Sequence, residues 1–337
     1  MNAGPILRSP AARRGAPEAA HSSGAGSDPS ASREAAFLAN PEKDAVHEVV
    51  LRPMTGHSGA EILLITQGQK NFVRKSAATP EQNARLRQQS EKLRMLARYS
   101  LSVPRVLREG THKSGCAFYD MEYVPARTVA AAICDSAAFH RSAFLKALER
   151  MFTFFKLTEG APVSAEAFHA KIAQIKAAGR SGVCVAHCDA IAAMADRLDG
   201  LNWDGIPASE GHGDLSLENI LLTADDRVVL IDCDAGWVSS WWIDAAKLYQ
   251  GVSGHWFLGN LYLEDDAGRS LLHASQRLER LKPSLDSLLA DLDRRLLPRI
   301  AQLAALHLFR TLPYARDERL VGFALSRIDT VLSASRM

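Results

Sequence analysis

His212-Gly213-Asp214-Leu215-Ser216-Leu217-Glu218-Asn219, followed a few residues later by Val228-Val229-Leu230-Ile231-Asp232-Cys233-Asp234, is the part of this 337-residue chain whose reading decides the fold. Asn219-Ile220-Leu221-Leu222 and Val228-Val229-Leu230-Ile231 are β-prone runs separated by Ala224-Asp225-Asp226, which has the composition of a turn. The three pieces predict a β-hairpin. A hairpin returns the chain beside its own start, so Asn219 and Asp232 should stand at one end of two paired strands, with Asp214 on the adjoining loop. An amide and two carboxylates gathered in this way suit Mg²⁺, which takes few protein oxygens and completes its shell with phosphate and water.

Outward from the hairpin, the chain after about Arg127 has helical periodicity. Phe144, Leu145, Leu148, Met151, Phe152 and Phe155 recur at helix spacing, as do Leu285, Leu288, Leu289 and Leu292. The preceding region differs. Residues 46–51, 61–66 and 71–75 are β-rich runs, the first two flanking Pro53-Met54-Thr55-Gly56-His57-Ser58-Gly59. Residues 80–99 then carry Leu86, Leu93 and Leu96 on one face of an amphipathic helix that begins beside a proline. Two further strand-like runs, 103–107 and 116–124, end at Pro125. A small mixed sheet with one helix, followed by a larger and mainly helical part, makes an α+β protein of two lobes: residues 41–124 and 125–337. Residues 1–40, rich in Ala, Gly, Ser and Pro, offer no apolar face to bury and predict a disordered tail. Their Glu18 and Asp28 speak against an organelle transit peptide.

The overall charge excludes several classes of partner. Forty Lys and Arg balance 38 Asp and Glu for a net charge of +2, which gives no electrostatic ground for nucleic-acid binding. No uninterrupted apolar run approaches the roughly 20 residues of a membrane span, so membrane insertion is not expected. The five cysteines, Cys116, Cys134, Cys184, Cys188 and Cys233, are an odd, scattered set that fits reduced thiols in a cytoplasmic protein. Cys184-Val185-Ala186-His187-Cys188 lacks a second ligand pair at metal-binding spacing and predicts a structural role.

H-G-D-L-x-x-x-N followed by a hydrophobic strand ending in I-D resembles the catalytic core of the aminoglycoside phosphotransferase and choline kinase-like families, with their bilobal protein kinase-like fold. The resemblance implies an ATP- and Mg²⁺-dependent kinase. In it Asp214 would orient or deprotonate an acceptor hydroxyl, while Asn219 and Asp232 would hold the metal that bridges the ATP phosphates. His212 resembles the loop histidine that supports the metal-binding turn, and Asp244 the aspartate that buttresses the catalytic loop. In the first lobe, Lys75 would pair with the α- and β-phosphates and Glu91 would orient it through an ion pair. Arg74 adjoins Lys75 on the same strand, and alternation lets only one of the two enter the cleft. Gly56, Ser58 and Gly59 resemble the loop that covers the phosphates, where backbone N–H groups approach oxygen atoms. The stretch Met121-Glu122-Tyr123-Val124 lies where such kinases link their lobes, so backbone groups of Glu122 and Val124 would meet the adenine edge.

The same motifs bear on the acceptor. Gly213 stands where protein kinases carry an arginine that receives an activation-loop phosphate, and Ser216 where serine/threonine kinases carry lysine. Both departures favour a small-molecule hydroxyl over a protein substrate. Trp237, Trp241, Trp242, Tyr249, Trp256 and Tyr262, with Glu264-Asp265-Asp266, could line an acceptor pocket that stacks on a sugar or cages an ammonium group. Residues 244–256 and Phe309-Arg310-Thr311-Leu312-Pro313-Tyr314 resemble phosphotransferases of bacterial surface-polysaccharide and sugar-phosphate metabolism, which points to a sugar-like acceptor. The alternatives are a choline- or aminoglycoside-type kinase, a protein kinase, or a pseudokinase that binds nucleotide and regulates partners.

Overall fold

Strand β1 (Val49–Pro53) pairs with β2 (Glu61–Gln67), and β2 pairs with β3 (Lys70–Ser76) across a short turn. The structure, a computed structural model, describes residues 49–54, 59–135, 139–259, 263 and 268–334. Helix α1 (Asn83–Arg98) follows a turn at Pro80 and lays Leu86, Leu93 and Leu96 on the sheet, as their spacing predicts. It is followed by β4 (Val106–Thr111) and β5 (Ala117–Glu122).

The sheet order is β1-β2-β3-β5-β4, and every pairing is antiparallel. The expectation of a mixed sheet is therefore corrected. The crossover through α1 does make β3 and β4 run the same way, but β5 inserts between them and pairs antiparallel with both.

The helical part opens with a strand that the sequence did not announce. β6 (Ala126–Thr128) pairs with β7 (Ile220–Thr223), which pairs in turn with β8 (Val228–Leu230), so the predicted hairpin is two strands of a three-stranded sheet. The chain then runs through α2 (Val129–Cys134), α3 (Arg141–Lys156), α4 (Ala165–Ala178) and α5 (Cys188–Asp199) before the hairpin. After it come α6 (Trp241–Val252), α7 (Gly268–Leu292), α8 (Leu297–Phe309) and α9 (Glu318–Ala334).

Helix α8 is apolar nearly all round and packs between α6 and α9, as expected of a helix at the centre of a bundle. Ser240 caps α6 by accepting the Trp242 N–H, and almost every side chain of α6 is buried. Helix α6 supports the hairpin loop through Asp244 and Lys247, and α8 backs α6. The described residues fall within one compact unit. No helix among the described residues is long and apolar enough to cross a membrane. The predicted tail, residues 1–40, lies outside the described residues.

Candidate active site

The loop between α5 and β7 is held by backbone contacts from three directions. The His212 carbonyl accepts the Asp234 N–H at 2.9 Å, and the His212 ring donates from Nε2 to the Ile231 carbonyl at 2.9 Å. Its other nitrogen accepts the Asp214 N–H at 3.3 Å. From below, the two oxygens of Asp244 accept the N–H groups of His212 and Gly213.

Gly213 adopts φ +89°, and a Cβ there would stand 1.9 Å from the Asp234 carbonyl oxygen. The close approach of residues 213 and 234 thus excludes any side chain at the position where a protein kinase would carry arginine. His212 is fully buried, which lowers its pKa to about 4 despite the nearby Asp214, so it is a neutral ring whose two nitrogens serve the loop. Burial likewise pushes Asp244 up to about 6, opposed by Lys92 and by the two N–H groups.

The hairpin brings the three predicted residues together. Asn219 sits opposite Ile231, whose N–H donates to the Asn219 carbonyl at 3.0 Å, so Asp232 follows immediately beside it. The Asn219 amide donates to the Asp214 carbonyl at 2.9 Å and to its Oδ2 at 3.1 Å. Asp214 Oδ1 lies 3.1 Å from Lys247 Nζ. Burial alone would raise the Asp214 pKa, but the charge and hydrogen bond of Lys247 outweigh it, with His212 and Arg310 adding, and the net shift is downward.

Asp232 has φ +58°, an unusual backbone for a non-glycine residue and of the kind that clusters at functional sites. Its Oδ1 accepts Lys75 Nζ at 2.7 Å. Lys75, with 1% of its side chain exposed, thus reaches from β3 across to the hairpin. Arg74 takes the other face of β3. It donates from Nε to Asp120 Oδ1 at 2.7 Å, and Arg108 lies 2.7 Å from the second Asp120 oxygen. Strand alternation separates the two neighbouring cations completely.

Glu91 requires a correction. It is exposed on α1, in a shallow cavity with Arg87 and Glu109, and does not pair with Lys75. One residue is about 100° of helix, and it is the next residue, Lys92, that faces the loop. Lys92 Nζ donates to the Asp234 carbonyl at 2.7 Å. Arg85, two turns earlier on the same helix, pairs with the Asp234 carboxylate at 2.6 Å.

The remaining predicted residues are placed as follows. Gly56 and Ser58 lie outside the described residues, as do Tyr262 and residues 264–266. Gly59 is described, with φ +74°. Glu122 ends β5 and its side chain contacts Arg105 at 3.3 Å. Val124 falls between β5 and β6, and its N–H has no backbone partner among the described residues. Trp241, Trp242 and Tyr249 are core residues, whereas Trp237 is half-buried near the loop. Cys184 is buried and Cys188 exposed.

Lys247 and Arg310 were not anticipated from the sequence, nor were Arg85 and Lys92. Lys247 had a signal: it stands three residues after Asp244, on the same face of α6. Arg310, at the C-terminal end of α8, had only its place in the 309–314 stretch already noted for its resemblance to sugar-associated phosphotransferases.

No group of three His, Cys, Asp or Glu among the described residues is arranged to hold a metal ion. The hairpin offers a smaller set of hard oxygens that suits Mg²⁺. The Asn219 amide nitrogen is engaged by Asp214, which leaves its oxygen for a cation, and the second oxygen of Asp232 has no side-chain partner among the described residues.

The model of a family described as "Phosphotransferase enzyme family" matches residues 51–277. No curated protein matches the chain in sequence. Among solved structures, it resembles a thermostable variant of the aminoglycoside phosphotransferase APH(4)-Ia in ternary complex with AMP-PNP and hygromycin B. The TM-score is 0.56 at 13% identity, over 85% of this chain and 94% of that one. The apo form of such a variant gives 0.54 at 15% identity, over 85% and 95%. A protein of Ralstonia eutropha JMP134 provisionally named as an aminoglycoside phosphotransferase gives 0.53 at 14% identity, over 91% and 96%. At these identities the likeness speaks for the protein kinase-like fold, and the family match covers well over half of the sequence. The chain belongs to the phosphotransferase enzyme family and is a kinase that moves phosphate onto a hydroxyl group.

Proposed function

We propose that this protein transfers the γ-phosphate of ATP, with Mg²⁺, to a hydroxyl of a small molecule of sugar-like character. The observation that carries it is the linked set Lys75–Asp232 and Asn219–Asp214, which places a buried cation, two metal-type oxygens and a carboxylate around one loop. Residues 41–124 would hold the nucleotide and residues 125–337 the catalytic loop and acceptor. Reduced thiols without a disulfide fit the cytoplasm.

Asn219 and Asp232 would hold Mg²⁺, which when bound neutralises charge on the transferring phosphate. Lys75, paired with Asp232 here, would turn to the α- and β-phosphates. The N–H of Val124 and the backbone of Glu122 would meet the adenine, and the loop of Gly56, Ser58 and Gly59 the phosphates. Asp214 would accept the hydrogen bond of the acceptor hydroxyl and aim its oxygen at the phosphorus. As the new O–P bond forms and the bond to ADP breaks, the hydroxyl proton leaves through Asp214 to solvent. The depressed Asp214 pKa makes it a weak base, so orientation is its larger role, consistent with a loose transition state. His212 and Asp244 would act by holding the loop.

The test is a coupled assay for ADP with hexoses, amino sugars, choline and aminoglycosides as acceptors. Asp214→Ala should abolish turnover while ATP still binds, and Asp232→Ala should also lose Mg²⁺-dependent ATP binding. Unchanged ATP affinity in the Asp232 variant would refute the metal assignment, and turnover confined to choline would remove the sugar-like acceptor. Nucleotide binding with no turnover on any acceptor would favour the pseudokinase.

A further inference from the structure

Cations crowd the Asp214 side of the loop. Lys247 is paired with Asp214, and Arg310 and Arg85 lie within its electrostatic reach. The carboxylates there are already engaged: Asp214 by Lys247 and Asn219, Asp232 by Lys75, and Asp234 by Arg85. Arg310 is left over. It is half-buried and has no carboxylate partner among the described residues.

What Arg310 does have is a frame. Its guanidinium carbon stands 5.1 Å from the centre of the Trp237 ring, and its Nη1 is 3.2 Å from His307 Nδ1. His307 is buried and donates from Nε2 to the Ile243 carbonyl at 3.0 Å, which leaves Nδ1 as the acceptor facing the arginine. Burial holds the His307 pKa well below 6.5, with Arg310 adding, so the ring is neutral and aligns the guanidinium without cancelling its charge. The other guanidinium N–H groups find no acceptor among the described residues.

Trp237 adds a second unsatisfied donor, since its indole N–H is buried without a partner. Lys171 Nζ, 6.0 Å from the same ring, brings another positive charge. Asp214 and Asp234 act on this guanidinium only from beyond contact distance, and a planar fork of free donors matches a carboxylate or phosphate. A polycation brought to the same place would meet like charge.

We propose that the surface beside Asp214 takes an anionic hydroxy compound, bearing a carboxylate or a phosphate, with Arg310, held over the Trp237 ring, as its charged anchor. This rests on the phosphotransfer reading above and names the acceptor's charge. Asp214 and Asp234 are among the charges that act on Arg310, and its place beside the residue that would meet the acceptor hydroxyl favours the acceptor as its ligand.

Saturation-transfer NMR on the full chain with AMP-PNP and Mg²⁺ tests it, using glucuronate, glucose 6-phosphate, glucose and glucosamine as probes. Contact signals are expected from glucuronate, from glucose 6-phosphate, or from both, the two arms separating carboxylate from phosphate. Glucose should give less signal and glucosamine least. Arg310→Gln should weaken anion binding at least tenfold and leave AMP-PNP affinity unchanged, while Arg310→Lys, which keeps the charge but not the fork, should retain part of the binding. The proposal is overturned if neither anionic sugar binds, if glucosamine binds as well as they do, or if both variants keep full anion binding. Loss of AMP-PNP affinity in the Arg310 variants would also overturn it, by assigning the guanidinium to the nucleotide. Anion binding by a chain that binds no AMP-PNP would support the anion site and refute the phosphotransfer reading instead.

Discussion

The sheet region and the helical region manage their charges in different ways. In the sheet region several cations meet carboxylates close by in the sheet: Arg74 and Arg108 share Asp120, and Arg105, just before β4, lies on Glu122. In the helical region, Lys247 from α6 and Arg310 beyond α8 converge on the single carboxylate Asp214. Strand register pairs these charges with near neighbours, whereas helix packing gathers charges from distant segments. Local pairing suits a structural role. A cation beside the loop with no carboxylate in contact suits a charged ligand.

The two faces of β3 offer the strongest way to break this comparison. Lys75→Met should lower kcat/KM on the order of 10²-fold or more, through lost electrostatic stabilisation of the phosphates, with little change in the urea midpoint. Arg74→Met should do the reverse. Stranding the buried Asp120 should cost about 3 kcal/mol, softened by Arg108, while kcat is kept. Urea denaturation and steady-state kinetics on both variants decide the matter, and equal effects from the two would erase the distinction between the faces.

A smaller effect is expected from pH. Burial lowers His212 and His255 to about 4 and His307 well below 6.5, so the unfolded chain takes up their protons first and stability is lost as pH falls from about 6.5 towards 4. Asp244, raised to about 6, acts with the opposite sign and offsets one of them as pH falls from about 6 to 3.8. The net result is falling stability, by about 1.4 kcal/mol per pH unit for each net proton taken up on unfolding. Urea midpoints measured between pH 7 and 4.5 would show it, and a flat profile would contradict neutral burial of these rings.

The smallest effect belongs to Glu91. Exposed on α1 and apart from Lys75, it should tolerate Glu91→Ala with stability changed by less than about 0.5 kcal/mol and kcat/KM unaltered. Lys92→Ala, one residue on, should destabilise the loop by removing the donor to the Asp234 carbonyl. A hundredfold loss of activity in the Glu91 variant would restore its pairing with Lys75 in the working enzyme.

Much of the candidate site at residues 212–232 was legible because its geometry is local. Asn219 and Asp232 flank a hairpin, and a hairpin has one way to bring its ends together. Glu91 was misplaced because an amphipathic pattern locates the buried stripe of a helix better than the residues at its margin, where one position changes the direction by a quarter-turn or more. β6 was overlooked because three residues carry too little periodicity to announce a strand. The aromatic residues near Trp237 looked alike in sequence, and only packing separated the core rings Trp241 and Trp242 from Trp237.

By itself the sequence determined the hairpin, the meeting of Asn219 and Asp232 at its end and the amphipathic faces of the main helices. Each follows from interactions within a few residues of one another. The tertiary structure alone decided that Lys75 and not Arg74 crosses to Asp232, and that Lys92, Lys247 and Arg310 surround the loop. Those choices depend on how strands and helices far apart in the chain pack together, and no local pattern of residues records that packing.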